Sequence, residues 1–364
     1  MRRIAIAGGG QCAAAAAATL RSRGFDGEVT IVSAEADLPY ERPPLSKDYL
    51  LGKRAAAELR IRPPEWFSEQ DIGLHLATSV AEVHPGDRRL GLSDGRILGY
   101  DLLLIASGGR PRPLPAVADD RIVYLRTRGD ADVLGERIRA AGDIVILGGG
   151  FIGCEIAAAA RTLGAQVTIL EMQDTLLQAA LGHEAGAAIA SIHRGAGVAV
   201  RTGEPVREVT ANPSGLLVRT DQGELRCGLL LVATGMLPNT EFLAGTGLDA
   251  PGGVVVDEYS RTSVEGIYAA GDVAMTYHRG HDAHLRVEHY DNAINRAQPP
   301  RRPCSAALSP TPTRTGSGPT CTSTTCSRSG WYTVTTRRSC ADRPPAGSSR
   351  CSTWLGASCR RYSP

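Results

Sequence analysis

Twice in this 364-residue chain a short apolar run ends in a glycine trio, continues into a helix-forming stretch, and is followed by a second apolar run that ends in an acid. In the first unit, Arg3 to Ala7 reads as a buried strand. Gly8-Gly9-Gly10-Gln11-Cys12-Ala13 then opens an Ala-rich helix that stops near Gly24, and the strand Val29 to Ser33 leads to Ala34-Glu35. In the second unit the strand is Asp143 to Leu147, the turn Gly148-Gly149-Gly150-Phe151-Ile152-Gly153, the helix runs to Leu163-Gly164, and Gln166 to Leu170 leads to Glu171. A single glycine trio is compatible with any strand-to-helix turn. Two complete strand–turn–helix–strand–acid units in one chain predict two dinucleotide sites.

Each position in the pattern has a physical task. Gly8 and Gly148 make the tight turn, Gly10 and Gly150 let a pyrophosphate approach the backbone, and Ala13 and Gly153 keep helix against strand. The helix start offers unpaired N–H groups and a positive dipole end to the phosphates. Glu35 and Glu171 accept hydrogen bonds from adenosine ribose hydroxyls. Glu171 repels a 2′-phosphate and no arginine follows in Met172-Gln173-Asp174, so the second unit is expected to take NADH. The fold class predicted is α/β, with two Rossmann-like domains.

Further strands are expected at Arg89 to Leu92, Leu102 to Ala106, Leu216 to Thr220 and Leu229 to Ala233. Two run into small-residue turns, Ser107-Gly108-Gly109-Arg110-Pro111 and Thr234-Gly235-Met236-Leu237-Pro238-Asn239, where the chain would leave one nucleotide domain and enter the other. Arg110 and Gly235 are candidate cofactor contacts there, and the alternative for either turn is an ordinary Gly/Pro loop. Gly266 to Val273 reads as a buried strand ending in Gly271-Asp272; Asp272 is placed to hold ribityl hydroxyls, with a helix expected after it.

Leu38-Pro39-Tyr40-Glu41-Arg42-Pro43-Pro44-Leu45-Ser46-Lys47 and Glu288-His289-Tyr290-Asp291-Asn292-Ala293 complete the pattern. With them, the first 298 residues resemble the FAD-dependent NADH:ferredoxin reductases of oxygenase systems. The resemblance implies a glutathione-reductase-like architecture, with residues 1–112 and 240–298 forming an FAD domain and 113–239 an inserted NADH domain. It places Arg42, Pro44 and Lys47 against the flavin, Lys47 near its reactive edge and paired with Glu155, and Glu288, His289 and Tyr290 at the pyrimidine end. Tyr290 stands where that family usually has Trp. A buried Lys47 would stabilise the anionic reduced flavin while Glu155 keeps it placed and charged; alternatively Lys47 lies on a solvated face and Glu155 merely favours a helix start.

Composition narrows the acceptor. Disulfide reductases of this architecture need a close cysteine pair after the first unit, and NADH peroxidases and oxidases a single cysteine, but residues 37–51 contain none. The resemblance then implies one-electron transfer from flavin to a [2Fe–2S] ferredoxin. Rival readings are a redox sensor or interaction protein without efficient turnover, and a donor to rubredoxin or a nitrite reductase. Only Cys12, Cys154 and Cys227 fall in the first 298 residues, a scatter that suggests a cytoplasmic protein without disulfides. The start, Arg2-Arg3 before an apolar run, mimics a secretory signal, but Gly8 to Gln11 interrupt it; no later stretch is expected to span a membrane. No feature points to an oligomeric state.

The last 66 residues differ in kind. They hold 10 of the 40 Lys and Arg, 1 of the 38 Asp and Glu, and six of the nine cysteines, leaving −7 for the body and +9 for the tail. The acidic body gives no sign of nucleic-acid binding. A low-complexity tail fits the six cysteines and two tryptophans poorly, and a secreted disulfide module fits the body poorly. Reading the last base of each codon with the first two of the next permits, across Arg314 to Gly330, a string similar to the opening of that family's third domain. Residues 299–364 are thus expected to be an out-of-frame tail beginning near Gln298, with the third domain absent.

Overall fold

The computed structural model describes residues 2–115, 117–248 and 252–296. The expected out-of-frame tail lies outside the described residues.

The first glycine unit builds a five-stranded parallel sheet in the order Ile267–Ala269, Leu102–Ile105, Arg3–Ala7, Glu28–Val32, Ile72–His75. The second builds another, Ala199–Arg201, Gln166–Leu170, Asp143–Leu147, Leu229–Val232, Ile122–Val123, also parallel throughout. Alternate residues of each central strand enter different cores, as a sheet covered on both faces requires. Ile4 and Ile6 pack with Ala13, Ala17 and Ile31 on the helix side, whereas Ala5 and Ala7 join Leu90, Leu103 and Leu243 on the other. In the second sheet Ile144 and Ile146 face Ile156, Ala157 and Ala160, and Val145 and Leu147 face Leu216 and Val218. The alanine run of helix Gln11–Ser22 combines high helix propensity with side chains small enough for close packing; Ala13 and Ala17 are fully buried.

All strands of the second sheet lie between the fourth and fifth strands of the first to be synthesised, Leu102–Ile105 and Ile267–Ala269. The outgoing and returning crossings pair with each other: Gly109–Pro111 is antiparallel to Met236–Pro238. Side chains reinforce the ribbon. Ser107 Oγ donates to the Asn239 carbonyl at 2.7 Å, and Asn239 Nδ2 donates to the Ser107 carbonyl at 3.0 Å.

One sequence expectation is corrected here. The stretch after Asp272 is no helix; a short 3₁₀ turn, Gly271–Val273, runs into strand Ala274–His278, which pairs with Ala283–Arg286. The period-two burial of Ala274 and Thr276 explains the outcome, and the next helix waits until Tyr290–Arg296.

Candidate functional site

The glycines of each turn are held in place by different constraints. Gly8 has φ +128° and Gly148 φ +101°. A Cβ on Gly8 would stand 2.1 Å from the Ala106 carbonyl oxygen, and one on Gly148 2.5 Å from that of Ala233, so neither position admits a side chain. Gly10 and Gly150 differ: each has extended backbone just before its helix, and a Cβ there meets nothing within 4 Å. The two helix starts are therefore bare and open. At the third position the units diverge, since Ala13 fits fully buried while a Cβ on Gly153 would lie 2.0 Å from the Gly148 carbonyl oxygen. The second helix packs closer to its turn than the first.

A row of alternating charges crosses the first turn. Tyr40 donates to Glu35, whose other oxygen lies 2.5 Å from Arg42 Nη2. Arg42 Nη1 donates to the Arg126 carbonyl at 2.6 Å, and Arg126 Nη2 lies 2.9 Å from Asp272 Oδ2. Burial and the neighbouring Arg42 lower the pKa of Arg126, with Asp272 opposing. Burial also works against the charge on Arg42, but Glu35 and Tyr40 outweigh it and raise its pKa. Arg126 went unnoticed in the sequence, where it precedes the helix cap Thr127 and stands 146 residues from its partner. Arg42, expected against the flavin, pairs with Glu35.

Glu171 closes the second turn, accepting from the Gly149 N–H at 2.6 Å through Oε2 and from the Gln173 N–H at 2.8 Å through Oε1. Its carbonyl accepts from the Glu204 N–H at 3.0 Å. The Glu204 carboxylate is buried against Arg201 and Thr220.

Between the two units stands Lys47, with Nζ 2.7 Å from Glu155 Oε2. Lys47 ends the 3₁₀ turn Pro43–Ser46, started by consecutive prolines, and Glu155 belongs to helix Phe151–Thr162. The expectation of a buried lysine is corrected: its side chain is 49% exposed, against 28% for Glu155. An ion pair this open contributes only about 0–1 kcal/mol to stability. Its placement across the two units matters more than its strength. Ser46, almost fully buried, donates to the same Glu155 oxygen at 2.5 Å.

The remaining expected contacts are dispersed. Arg110 pairs with Glu241 at 2.5 Å and donates to Asn239 at 3.0 Å, within the crossing ribbon. Gly235, at φ +108°, accepts from the Arg112 N–H. Glu288 pairs with Arg286 at 2.6 Å, and burial raises its carboxyl above the usual range, with Arg286 opposing. His289 Nδ1 accepts from the Asp291 N–H, and Tyr290 opens its helix with its hydroxyl 3.5 Å from Glu41.

The three cysteines among the described residues are free and buried. Burial pushes the Cys12 and Cys227 thiols up to about 12, with Asp272 and Asp143 adding respectively. Burial, with Glu155 and Glu171 adding, pushes Cys154 up to about 11. Thiols held this neutral are poor nucleophiles. Among the described residues no His, Cys, Asp and Glu cluster is arranged for a metal ion, and no helix is long and apolar enough to cross a membrane.

Two glycine-turn sheets in one chain, bridged by a lysine–glutamate pair, define the class of dinucleotide-dependent flavoprotein oxidoreductases. The chain belongs to the pyridine nucleotide-disulphide oxidoreductase family, whose model matches residues 2–297. It is 37% identical over 293 residues to the ferredoxin–NAD(+) reductase component of the anthranilate 1,2-dioxygenase system of Burkholderia cepacia, covering 80% of this chain and 72% of that one. Rhodocoxin reductase of Rhodococcus erythropolis is 36% identical over 299 residues, 81% of this chain and 70% of its own. A solved covalent putidaredoxin reductase–putidaredoxin complex superimposes with a TM-score of 0.78 at 34% identity, over 81% of this chain and 73% of that one.

Proposed function

We propose that the chain takes a hydride from NADH onto FAD and passes electrons singly to a [2Fe–2S] ferredoxin serving a monooxygenase or dioxygenase, in the cytoplasm. The observation that carries this reading is the Lys47–Glu155 contact between the segment beside the first glycine turn and the helix of the second. It is one of the contacts that hold the two nucleotide units together, as face-to-face transfer between two cofactors requires. The names of the similar reductases support the acceptor assigned.

The residues present fit both dinucleotides. Gly10 and Gly150 leave room at their helix starts, and Glu35 and Glu171 stand at the ribose positions. Arg42 donates to the Arg126 carbonyl, and the two like charges are near enough for Arg42 to lower the pKa of Arg126, a place that an intervening diphosphate would stabilise. Asp272 is the ribityl acceptor, and Glu288, His289 and Tyr290 border the pyrimidine end. In this reading residues 1–112 and 240–298 form the FAD domain and 113–239 the inserted NADH domain, from which Arg126 reaches to Arg42 and Asp272. Bound FAD supplies the conversion from a two-electron donor to a one-electron acceptor. Lys47 holds positive charge at the cleft, and Glu155 keeps that ammonium in place. Among the described residues the three thiols are buried and offer no sulfur relay.

The test is the visible spectrum of the purified chain with FAD, taken without air before and after NADH. A flavin spectrum that NADH bleaches, followed by ferredoxin-dependent cytochrome reduction, is expected. A preparation that stays colourless in excess FAD ends the proposal. Bleaching without onward transfer assigns the chain a sensing role instead.

A further inference from the structure

Lys47 has a long, half-exposed side chain, and such ion pairs are loose when nothing else holds either partner. Here something does. Glu155 Oε2 receives two donors, the Lys47 ammonium at 2.7 Å and the Ser46 hydroxyl at 2.5 Å. The two donors differ in freedom. Ser46 is 2% exposed, has one side-chain torsion that positions its oxygen, and sits on a turn fixed by Pro43 and Pro44. Its neighbour Leu45 is anchored in a cluster with Tyr40, Leu59 and Ala131. Lys47 reaches the same oxygen through four flexible methylenes, with a weaker contact to the Pro43 carbonyl at 3.3 Å. A hydroxyl donating to a carboxylate is a charge-assisted bond, shorter and stronger than a neutral one.

We infer that Ser46 is a positioning residue for hydride transfer: its buried hydroxyl fixes the Glu155 carboxylate, and that carboxylate in turn fixes the Lys47 ammonium at the cleft between the two nucleotide units. Ser46 is the rigid member of the fork and Lys47 the mobile one. Removing the hydroxyl leaves both charges in place but frees Glu155 to turn about its side-chain torsions, and the ammonium follows it. The inference rests on the functional reading above for its consequence in catalysis, but the geometry concerns this chain alone.

The sequence makes the test unusually direct, because the chain contains only two lysines, Lys47 and Lys53. The full chain grown with lysine labelled with ¹³C at Cε gives two side-chain signals, and Lys53→Arg assigns them. In the parent, the Lys47 Cε order parameter is expected to exceed that of exposed Lys53. In Ser46→Ala it is expected to fall to the Lys53 level. Ser46→Cys, which refills the space with a weak donor, is expected to do the same in a protein packed like the parent, so a folding defect in the alanine variant does not end the test. Lys47 as ordered in both variants as in the parent overturns the inference, whether or not the protein reduces any acceptor. On FAD-loaded protein, Ser46→Ala is expected to slow flavin reduction by bound NADH about tenfold with KM for NADH unchanged, and to cost nothing further in a Glu155→Gln background. Additive losses in the double variant would mean that Ser46 acts elsewhere. Failure of the parent to accept a hydride, with Lys47 still ordered through Ser46, removes the functional reading and leaves the positioning contact standing.

Discussion

Two glycines of one turn, two residues apart, are expected to respond in opposite ways to the same substitution. At Gly8, alanine must adopt φ +128° with its methyl 2.1 Å from a backbone carbonyl oxygen. A conformation reserved for glycine costs about 1–3 kcal/mol, and the overlap adds a similar amount, so Gly8→Ala is expected to lose about 3 kcal/mol or more. At Gly10 the backbone has φ −89° and ψ −164°, open to any residue, and the methyl meets nothing within 4 Å. Gly10→Ala is therefore expected to leave the apoprotein as stable or to gain about 0.4–1 kcal/mol through the unfolded chain. The methyl then occupies the space a pyrophosphate needs. Loss of one charge-assisted N–H contact, about 1.5–3 kcal/mol, corresponds to roughly 10- to 150-fold weaker FAD binding, and loss of two to more. Thermal melts of the apoproteins and fluorescence titration with FAD separate the two effects. Gly150→Ala is the companion: FAD binding unchanged, NADH binding weakened. A Gly10→Ala variant that binds FAD like the parent, or a Gly8→Ala variant that melts like it, refutes the division of labour within the turn.

Gly153→Ala is expected to cost about 1–3 kcal/mol by forcing its helix off the Gly148 carbonyl, measurable by denaturant unfolding, whereas the first unit already carries Ala13 at the matching place. Arg126→Gln, keeping a hydrogen-bonding side chain without its charge, is expected to weaken FAD binding about 10- to 100-fold in the same titration. The buried thiols make stability depend on pH with a definite sign. Their folded values stand above the ordinary 9.0, so the favourable contribution is complete below pH 9 and is lost as pH rises toward about 11–12, at about 1.4 kcal/mol per pH unit for each thiol. A series of melts from pH 7 to alkaline conditions checks this, and Cys12, Cys154 and Cys227 are expected to resist thiol reagents at neutral pH, read by mapping the labelled peptides. Resequencing the coding DNA is expected to reveal a base gained or lost near the codon for Gln298.

What could be read from the sequence was whatever repeats locally. The glycine trios, their flanking strands and the acids at Glu35 and Glu171 are set by neighbours in the chain, and period and turn chemistry expose them. The nearness of Lys47 to Glu155 came from resemblance; no spacing rule relates residues on different domains. Arg126 was hidden because an arginine before a helix cap is ordinary, and only the fold brings Asp272 to it. Ser46 was equally silent, since its meaning depends on a carboxylate 109 positions away. A helix is expected after Asp272 and a strand is found, because the alternation in Ala274 to Thr276 that specifies it is only three residues long.

The paired crossings at Gly109–Pro111 and Met236–Pro238 have a bearing on how the chain is made. A ribosome finishes four strands of the first sheet, then the whole of the second, before the edge strand Ile267–Ala269 emerges to cover Leu102–Ile105. The ribbon holds entry and exit together, so the loop to be closed is short however long the insert, and the late strand arrives beside its partner instead of searching for it.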